Sequence, residues 1–179
     1  MTVAATPSKW LIPSMGMTQI IGWGSMFYAY GVLMQPMEAE LQTTRSVVVG
    51  AYSIALLLSG CLSTLSGAII DRIGGRLVMG GGALLAALMF FLMSYVDSVL
   101  TLYLVWAGLG VAMSATLYQP AFSVLTQVYG IGYRRAITAV TLFGGMSSSV
   151  FWPLTQALSD QVGWRDTWLI YAAPVSYTH

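Results

Sequence analysis

Gly67-Ala68-Ile69-Ile70-Asp71-Arg72-Ile73-Gly74-Gly75-Arg76 stands between two long apolar segments, Val47 to Ile70 and Leu77 to Val96. The fixed positions follow the pattern GxxxDRxGxR. Gly67 permits a close helix crossing and Gly74 a tight turn. The Asp71 carboxylate can accept hydrogen bonds from a guanidinium or a neighbouring helix N-terminus. Charge and glycine wedged between apolar runs describe a short solvent-facing turn that joins two membrane helices.

A membrane span needs about 20 mainly apolar residues. The sequence supplies that length at Leu11 to Met37, Val47 to Ile70, Leu77 to Val96, Val99 to Val128 and Ala136 to Leu158. A sixth span is expected to begin near Thr167, with Pro174-Val175-Ser176-Tyr177-Thr178-His179 interrupting it short of a crossing. The expected fold class is an all-α membrane protein, with a cytoplasmic tail at 1–10 and a transmembrane bundle at 11–179. Composition agrees: 57% of residues are hydrophobic and 7% charged, where a soluble domain carries roughly a quarter charged residues. Seven basic and six acidic side chains nearly cancel, which leaves no basic field for nucleic acid. The first span lacks the flanks of a cleaved signal peptide. Cys61 is the single cysteine and His179 the single histidine, so the chain lacks the residues for an internal disulfide, a Cys-rich or histidine-ligated metal site or histidine catalysis. No GxxxxGK[ST] loop for a nucleotide occurs, and no cofactor is expected.

Starting the first span in the cytoplasm puts Lys9, Arg72, Arg76, Arg134 and Arg135 inside and Arg45 and Arg165 outside, as the positive-inside rule requires. Helices in lipid associate through small residues that let backbones approach. Three such stripes are expected to pack: Ser59, Ser63 and Gly67; Gly108 and Ala112; Gly145, Ser149 and Pro153. Pro120 and Pro153 are expected to bend their helices, and Pro13 and Pro36 to mark helix ends.

The Gly67 to Arg76 turn resembles the loop between helices two and three of the major facilitator superfamily. In the same way, Tyr133-Arg134-Arg135-Ala136, Gly144-Gly145, Pro153 and Gly163-Trp164-Arg165 resemble the branch of monocarboxylate and oxalate/formate carriers, and Gly22-Trp23-Gly24 agrees more weakly. The resemblance implies the N-terminal six-helix bundle of a secondary transporter with its sixth helix cut short. Implied partners are the lipid bilayer of a bacterial inner membrane, a small-molecule substrate and a C-terminal bundle beyond this sequence. It also makes Gly67, Asp71, Arg72, Gly74 and Arg76 a gating loop, with Asp71 meeting a helix of the second bundle, and Arg134 and Arg135 a cytoplasmic basic pair. Departures are plain: no basic residue lies between Lys9 and Arg45, where animal monocarboxylate carriers have a lysine, and Leu102 to Gly110 holds no arginine motif.

A charge at the bilayer centre costs about 2.5 to 3.5 kcal/mol on insertion scales, and none lies near the middle of these spans. Either the charges that bind an anion lie in a second bundle beyond this sequence, or the substrate is held by neutral hydrogen bonds and aromatic faces. Gln19, Trp23, Phe27 and Tyr30 recur at helical spacing on the first span, Tyr118 and Gln119 precede Pro120, and Thr141, Ser148 and Trp152 form a row on the fifth. By resemblance, Gln19, Trp23, Tyr30, Tyr118, Gln119, Ser148 and Trp152 are the candidate cavity residues, and packing or interface anchoring is the alternative for each aromatic. The leading function is transport of a small solute, such as a monocarboxylate, with proton coupling implied by resemblance. A membrane-embedded enzyme and a structural or assembly protein are the alternatives.

Overall fold

The computed structural model describes residues 9–176. Residues 1–8 of the expected tail, and Tyr177, Thr178 and His179, lie outside the described residues. All regular structure among the described residues is helical. Helix α1 (Leu11–Trp23) passes through a π-helical turn (Gly24–Tyr28) directly into α2 (Ala29–Glu40). Helices α3 (Arg45–Ile73) and α4 (Gly75–Met93) meet at Gly74, whose φ of 90° is open to glycine. Helix α5 (Val99–Thr116) starts on a reciprocal Ser98–Thr101 capping box, and α6 (Tyr118–Tyr129) follows after Leu117 alone. A 3₁₀ turn (Gly130–Gly132) leads to α7 (Tyr133–Gly145) and then α8 (Ser147–Ser176), itself two helices meeting at Gly163, φ 83°. Helices α3 and α4 are long and apolar enough to cross a membrane, as is the run that follows Val99. The chain is an integral, multi-pass membrane protein.

Several boundaries differ from those expected. The first rod runs beyond Met37 to Glu40, and Pro36 sits inside it instead of ending it. Pro13 falls in the first turn of α1, where proline lacks nothing a helix needs. The fourth span is divided at Leu117, whose ψ of −156° is extended. The fifth span begins earlier, at Tyr133, and is interrupted at Met146. The sixth begins at Trp164, three residues before Thr167, and Pro174 does not interrupt it before Ser176.

Close helix approach is concentrated at other glycines than those expected. A methyl group on Gly110 would lie 2.5 Å from the Ala55 carbonyl oxygen, so α3 and α5 cross backbone to backbone. On Gly82 it would meet Ala115 at 2.7 Å, and on Gly24 the Phe151 ring at 2.1 Å. Gly108 packs on Met89 and Ala112 is buried, as its stripe requires. The Gly145, Ser149 and Pro153 stripe instead faces outward; Gly144, Ser147, Phe151 and Thr155 are the buried face of that rod. The reason is register: Gly16 takes the Phe143 ring and Gly24 takes Phe151, which fixes the parallel α1 rod against the row one position away. Leu57, Leu104 and Leu142 point outward, as an envelope against hydrocarbon requires.

Three loops meet at one end of the bundle. Glu40 Oε1 accepts from Arg165 Nε at 2.8 Å and Oε2 from Trp164 Nε1 at 2.5 Å. Arg165 Nη1 also donates to the Ser94 carbonyl at 2.8 Å, and its guanidinium lies 4.4 Å from the Trp164 ring centre. This clasp explains the Gly163-Trp164-Arg165 sequence: glycine reverses the chain, and the next two side chains tie the turn to the first rod. The Arg165 hydrogen bond, followed by that from Trp164, holds the Glu40 carboxyl below its ordinary value. A depressed carboxyl stabilises the fold above its unfolded pKa of about 4.3 and loses that contribution as pH falls through the folded value. Because Glu40 is half exposed, the effect is under about 1 kcal/mol. The expected outcome is that Glu40→Gln unfolds at a slightly lower temperature than wild type at pH 7 in detergent, and that the two midpoints converge below about pH 4. A gap that persists at low pH would remove the ionised clasp from the account.

Candidate functional site

A groove of about 260 Å³ opens where three rods converge, lined by Trp23 of α1, Ser59, Gly60 and Ser63 of α3, Met113 and Ser114 of α5, Leu117, and Tyr118 and Gln119 of α6. The break at Leu117 creates it. An uninterrupted helix would carry Tyr118 and Gln119 onward at about 100° per residue, whereas one extended residue turns them back toward α1. Trp23 and Tyr118 then lie 4.8 Å apart between ring centres, and Tyr118 stacks on Phe122 at 5.2 Å. The Tyr118 hydroxyl donates to the Thr141 carbonyl at 3.3 Å. Gly144 leaves room for it, since a Cβ there would be 2.1 Å from that oxygen. Deeper in, Ser114 Oγ lies 3.1 Å from Ser66 Oγ, and Ser114 donates to the Val111 carbonyl at 2.7 Å.

The groove therefore presents hydroxyls, one amide and aromatic faces, with no acid, lysine, arginine or histidine among its lining residues. Such a surface suits the uncharged part of a small polar solute: hydroxyl or carbonyl groups can be hydrogen-bonded, and a short carbon skeleton can lie against indole and phenol.

The structure divides the candidate cavity residues. Trp23, Tyr118 and Gln119 come together in the groove. Gln19 is fully buried between rods and donates through Nε2 to the Thr116 carbonyl at 3.0 Å. Tyr30 belongs to an aromatic core: it stacks on Tyr52 at 3.9 Å, and Trp106 and then Trp168 follow edge-on. Its hydroxyl donates to Met34 Sδ at 3.3 Å. Ser148 and Trp152 line a separate, shallow concavity on α8 with Ser149 and Pro153. Ser63 and Ser114 are groove residues that sequence reasoning missed. Ser63 reads as part of a packing stripe, and the signal for Ser114 is a serine in lipid that needs a partner.

At the opposite end from the clasp, Asp71 is exposed and accepts from Gln127 Nε2 of α6 at 2.8 Å. No ion pair between Asp71 and Arg72 or Arg76 forms among the described residues. Gly75 is the tight contact of this loop: a Cβ there would be 2.0 Å from Val124 Cγ2, whereas one on Gly67 would be 3.8 Å from Ser123. Close crossing thus falls to Gly75, not to Gly67 as expected. Arg134 and Arg135 are exposed at the start of α7 and do not reach the groove.

The family model described as Major Facilitator Superfamily matches residues 15–175. Monocarboxylate transporter 11 of Homo sapiens is 32% identical over 127 residues, covering 68% of this chain and 26% of that protein. Monocarboxylate transporter 3 of Rattus norvegicus is 29% identical over 157 residues, covering 80% and 31%. Monocarboxylate transporter 2 of Mus musculus is 28% identical over 145 residues, covering 79% and 29%. The chain spans between about a quarter and a third of the length of these relatives.

The three loop glycines should separate cleanly on substitution. Gly67→Ala is expected to leave membrane abundance and thermal midpoint unchanged. Gly74→Ala places a side chain at positive φ with extended ψ, costing about 1 to 3 kcal/mol, and Gly75→Ala forces apart α4 and α6 at about 1 to 3 kcal/mol. Thermal melting of each purified variant is the measurement; equal losses at all three positions would contradict the assigned contacts.

Proposed function

Because the chain belongs to the Major Facilitator Superfamily, we propose that it forms the N-terminal bundle of a secondary transporter that carries a small monocarboxylate by alternating access. The observation that carries this reading is the uncharged groove at the Leu117 break, small enough for a solute of a few carbon atoms and lined by Ser63, Ser114, Trp23 and Tyr118. Likeness to monocarboxylate transporters supports the substrate class. With no charge in the groove, this bundle binds the body of the solute, and the counter-charge for its carboxylate belongs to a second bundle facing it. A coupling proton, if the carrier uses one, is held there too. Alternating access then consists of the two bundles rocking about a site near the midplane.

The distribution of Lys and Arg supports an orientation with Lys9, the Asp71 loop and the Arg134–Arg135 pair in the cytoplasm. In this orientation the Glu40 clasp closes the outer end and the Asp71 loop borders the inner one. A gating role for Asp71 requires different contacts in the two states, because only a difference in free energy shifts their populations. The Asp71 carboxylate has one oxygen engaged by Gln127, which leaves the other to meet a helix N-terminus of the second bundle when the inner side is closed.

The deciding experiment is uptake of labelled lactate, pyruvate and butyrate by the full-length carrier in proteoliposomes. Saturable uptake is expected, weakened at least fivefold in KM by Trp23→Ala. No uptake of any of the three by correctly inserted protein would reject the substrate class. A second measurement addresses the gate. Asparagine at position 71 can still accept from Gln127, so Asp71→Asn removes charge while keeping local structure. Uptake should slow severalfold at normal abundance, and cysteines near the inner end, in a Cys61→Ala background, should become more accessible from the cytoplasm. Unchanged rate and accessibility would leave Asp71 as a turn residue.

A further inference from the structure

Thr116 ends α5, and the residue four places on is Pro120. In a continuous helix the Thr116 carbonyl would receive the N–H of residue 120, and proline has none. Two bonds flank the break: Leu117 N–H donates to the Met113 carbonyl at 3.1 Å and Ala121 N–H to the Leu117 carbonyl at 3.3 Å. The Thr116 hydroxyl is turned to the Ala112 carbonyl at 2.8 Å and does nothing for its own backbone oxygen. That oxygen sits in the middle of a membrane rod, where no water can serve it and an unpaired carbonyl is costly.

The missing donor comes from another rod. Gln19 Nε2 of α1 reaches the Thr116 carbonyl at 3.0 Å, across 97 residues of sequence. Gln19 is wholly buried and Thr116 nearly so. Since a carbonyl needs a donor, the orientation of the Gln19 amide is set by this contact. One turn along the same rod, Trp23 packs its ring against Tyr118, so α1 grips the helix on both sides of the break.

We infer that Gln19 is a positioning residue: its amide caps, from a neighbouring helix, the carbonyl that Pro120 leaves without a partner, and so holds the Leu117 break in the shape that stands Tyr118 and Gln119 on the groove. The glutamine and the proline form one device, in which the proline opens the helix and the glutamine fixes where it opens. Capping concerns the backbone alone. The positioning role rests on the groove reading given above.

This coupling has a direct test in the full-length carrier, using Gln19→Leu, Pro120→Ala and the double variant. Each is measured for thermal midpoint in nanodiscs and for KM and Vmax of labelled lactate uptake. Gln19→Leu strands the carbonyl and should lower the midpoint by about 3 to 8 °C. In the double variant the Pro120→Ala change supplies the missing N–H, so more than half of that loss should return. Both variants that carry Pro120→Ala straighten the helix, and their KM should rise at least fivefold with Vmax changed less than twofold. Losses that simply add in the double variant would overturn the capping; restored stability together with a wild-type KM would overturn the positioning role. Should Gln19→Leu not be recoverable in folded form, normal abundance of the double variant supports the capping and its absence refutes it. If wild-type carrier takes up none of lactate, pyruvate and butyrate, the monocarboxylate reading fails while the stability comparison still decides the capping.

Discussion

Every backbone amide and carbonyl in hydrocarbon must find its partner within protein, because no water is there to substitute. The architecture of this bundle follows from how that demand is met at each place where a helix stops. Ser98 and Thr101 cap the start of α5 reciprocally. At Gly163 the chain reverses, and the Thr167 hydroxyl donates back to the Gly163 carbonyl at 2.7 Å. At Leu117 the demand is met from another rod altogether, by Gln19. The first two breaks lie at ends of rods; the third lies within one, and it is the one that opens the groove.

Cohesion has a different origin from that of a soluble core. Apolar side chains gain little by leaving lipid for protein, so rods are held by contact distance and by polar cross-links. Gly110 against the Ala55 backbone and Gly82 against Ala115 bring α3, α4 and α5 together more closely than any larger residue would allow. Polar links are few, and each is specific: Ser66 to Ser114, Thr155 to Tyr171 at 2.7 Å, Gln19 to Thr116. The aromatic group around Trp106 fills the remaining volume toward the clasp end, with Phe90 stacked on Trp168 at 5.0 Å.

Much of this is legible from residues alone. Hydropathy locates the rods, and the Gly67 to Arg76 pattern locates their turn, because both depend on composition over long or fixed spacings. Breaks without a glycine are not legible: Leu117 takes an extended conformation that its identity does not demand, and only the proline three places on hints at it. Gln19, Trp23, Phe27 and Tyr30 read as one face under an even helical period. The π turn at Gly24–Tyr28 widens the spiral and carries Tyr30 round toward Tyr52, away from Trp23 and the groove. Serines at 59 and 63 look like packing because small residues serve both purposes, and only the neighbouring rods decide between them.

The π turn also bears on how this chain is compared with its relatives. A turn that closes on the fifth residue accommodates one residue more than an α-helical turn, so it is structurally an insertion of a single amino acid that leaves both flanking helices intact. A relative with an even helix here would match this chain up to Trp23 and would then be displaced by one residue from Ala29 onward, unless a gap is placed between Gly24 and Tyr28. Functional positions transferred through the first rod without that gap would land about 100° round the helix axis from their true places.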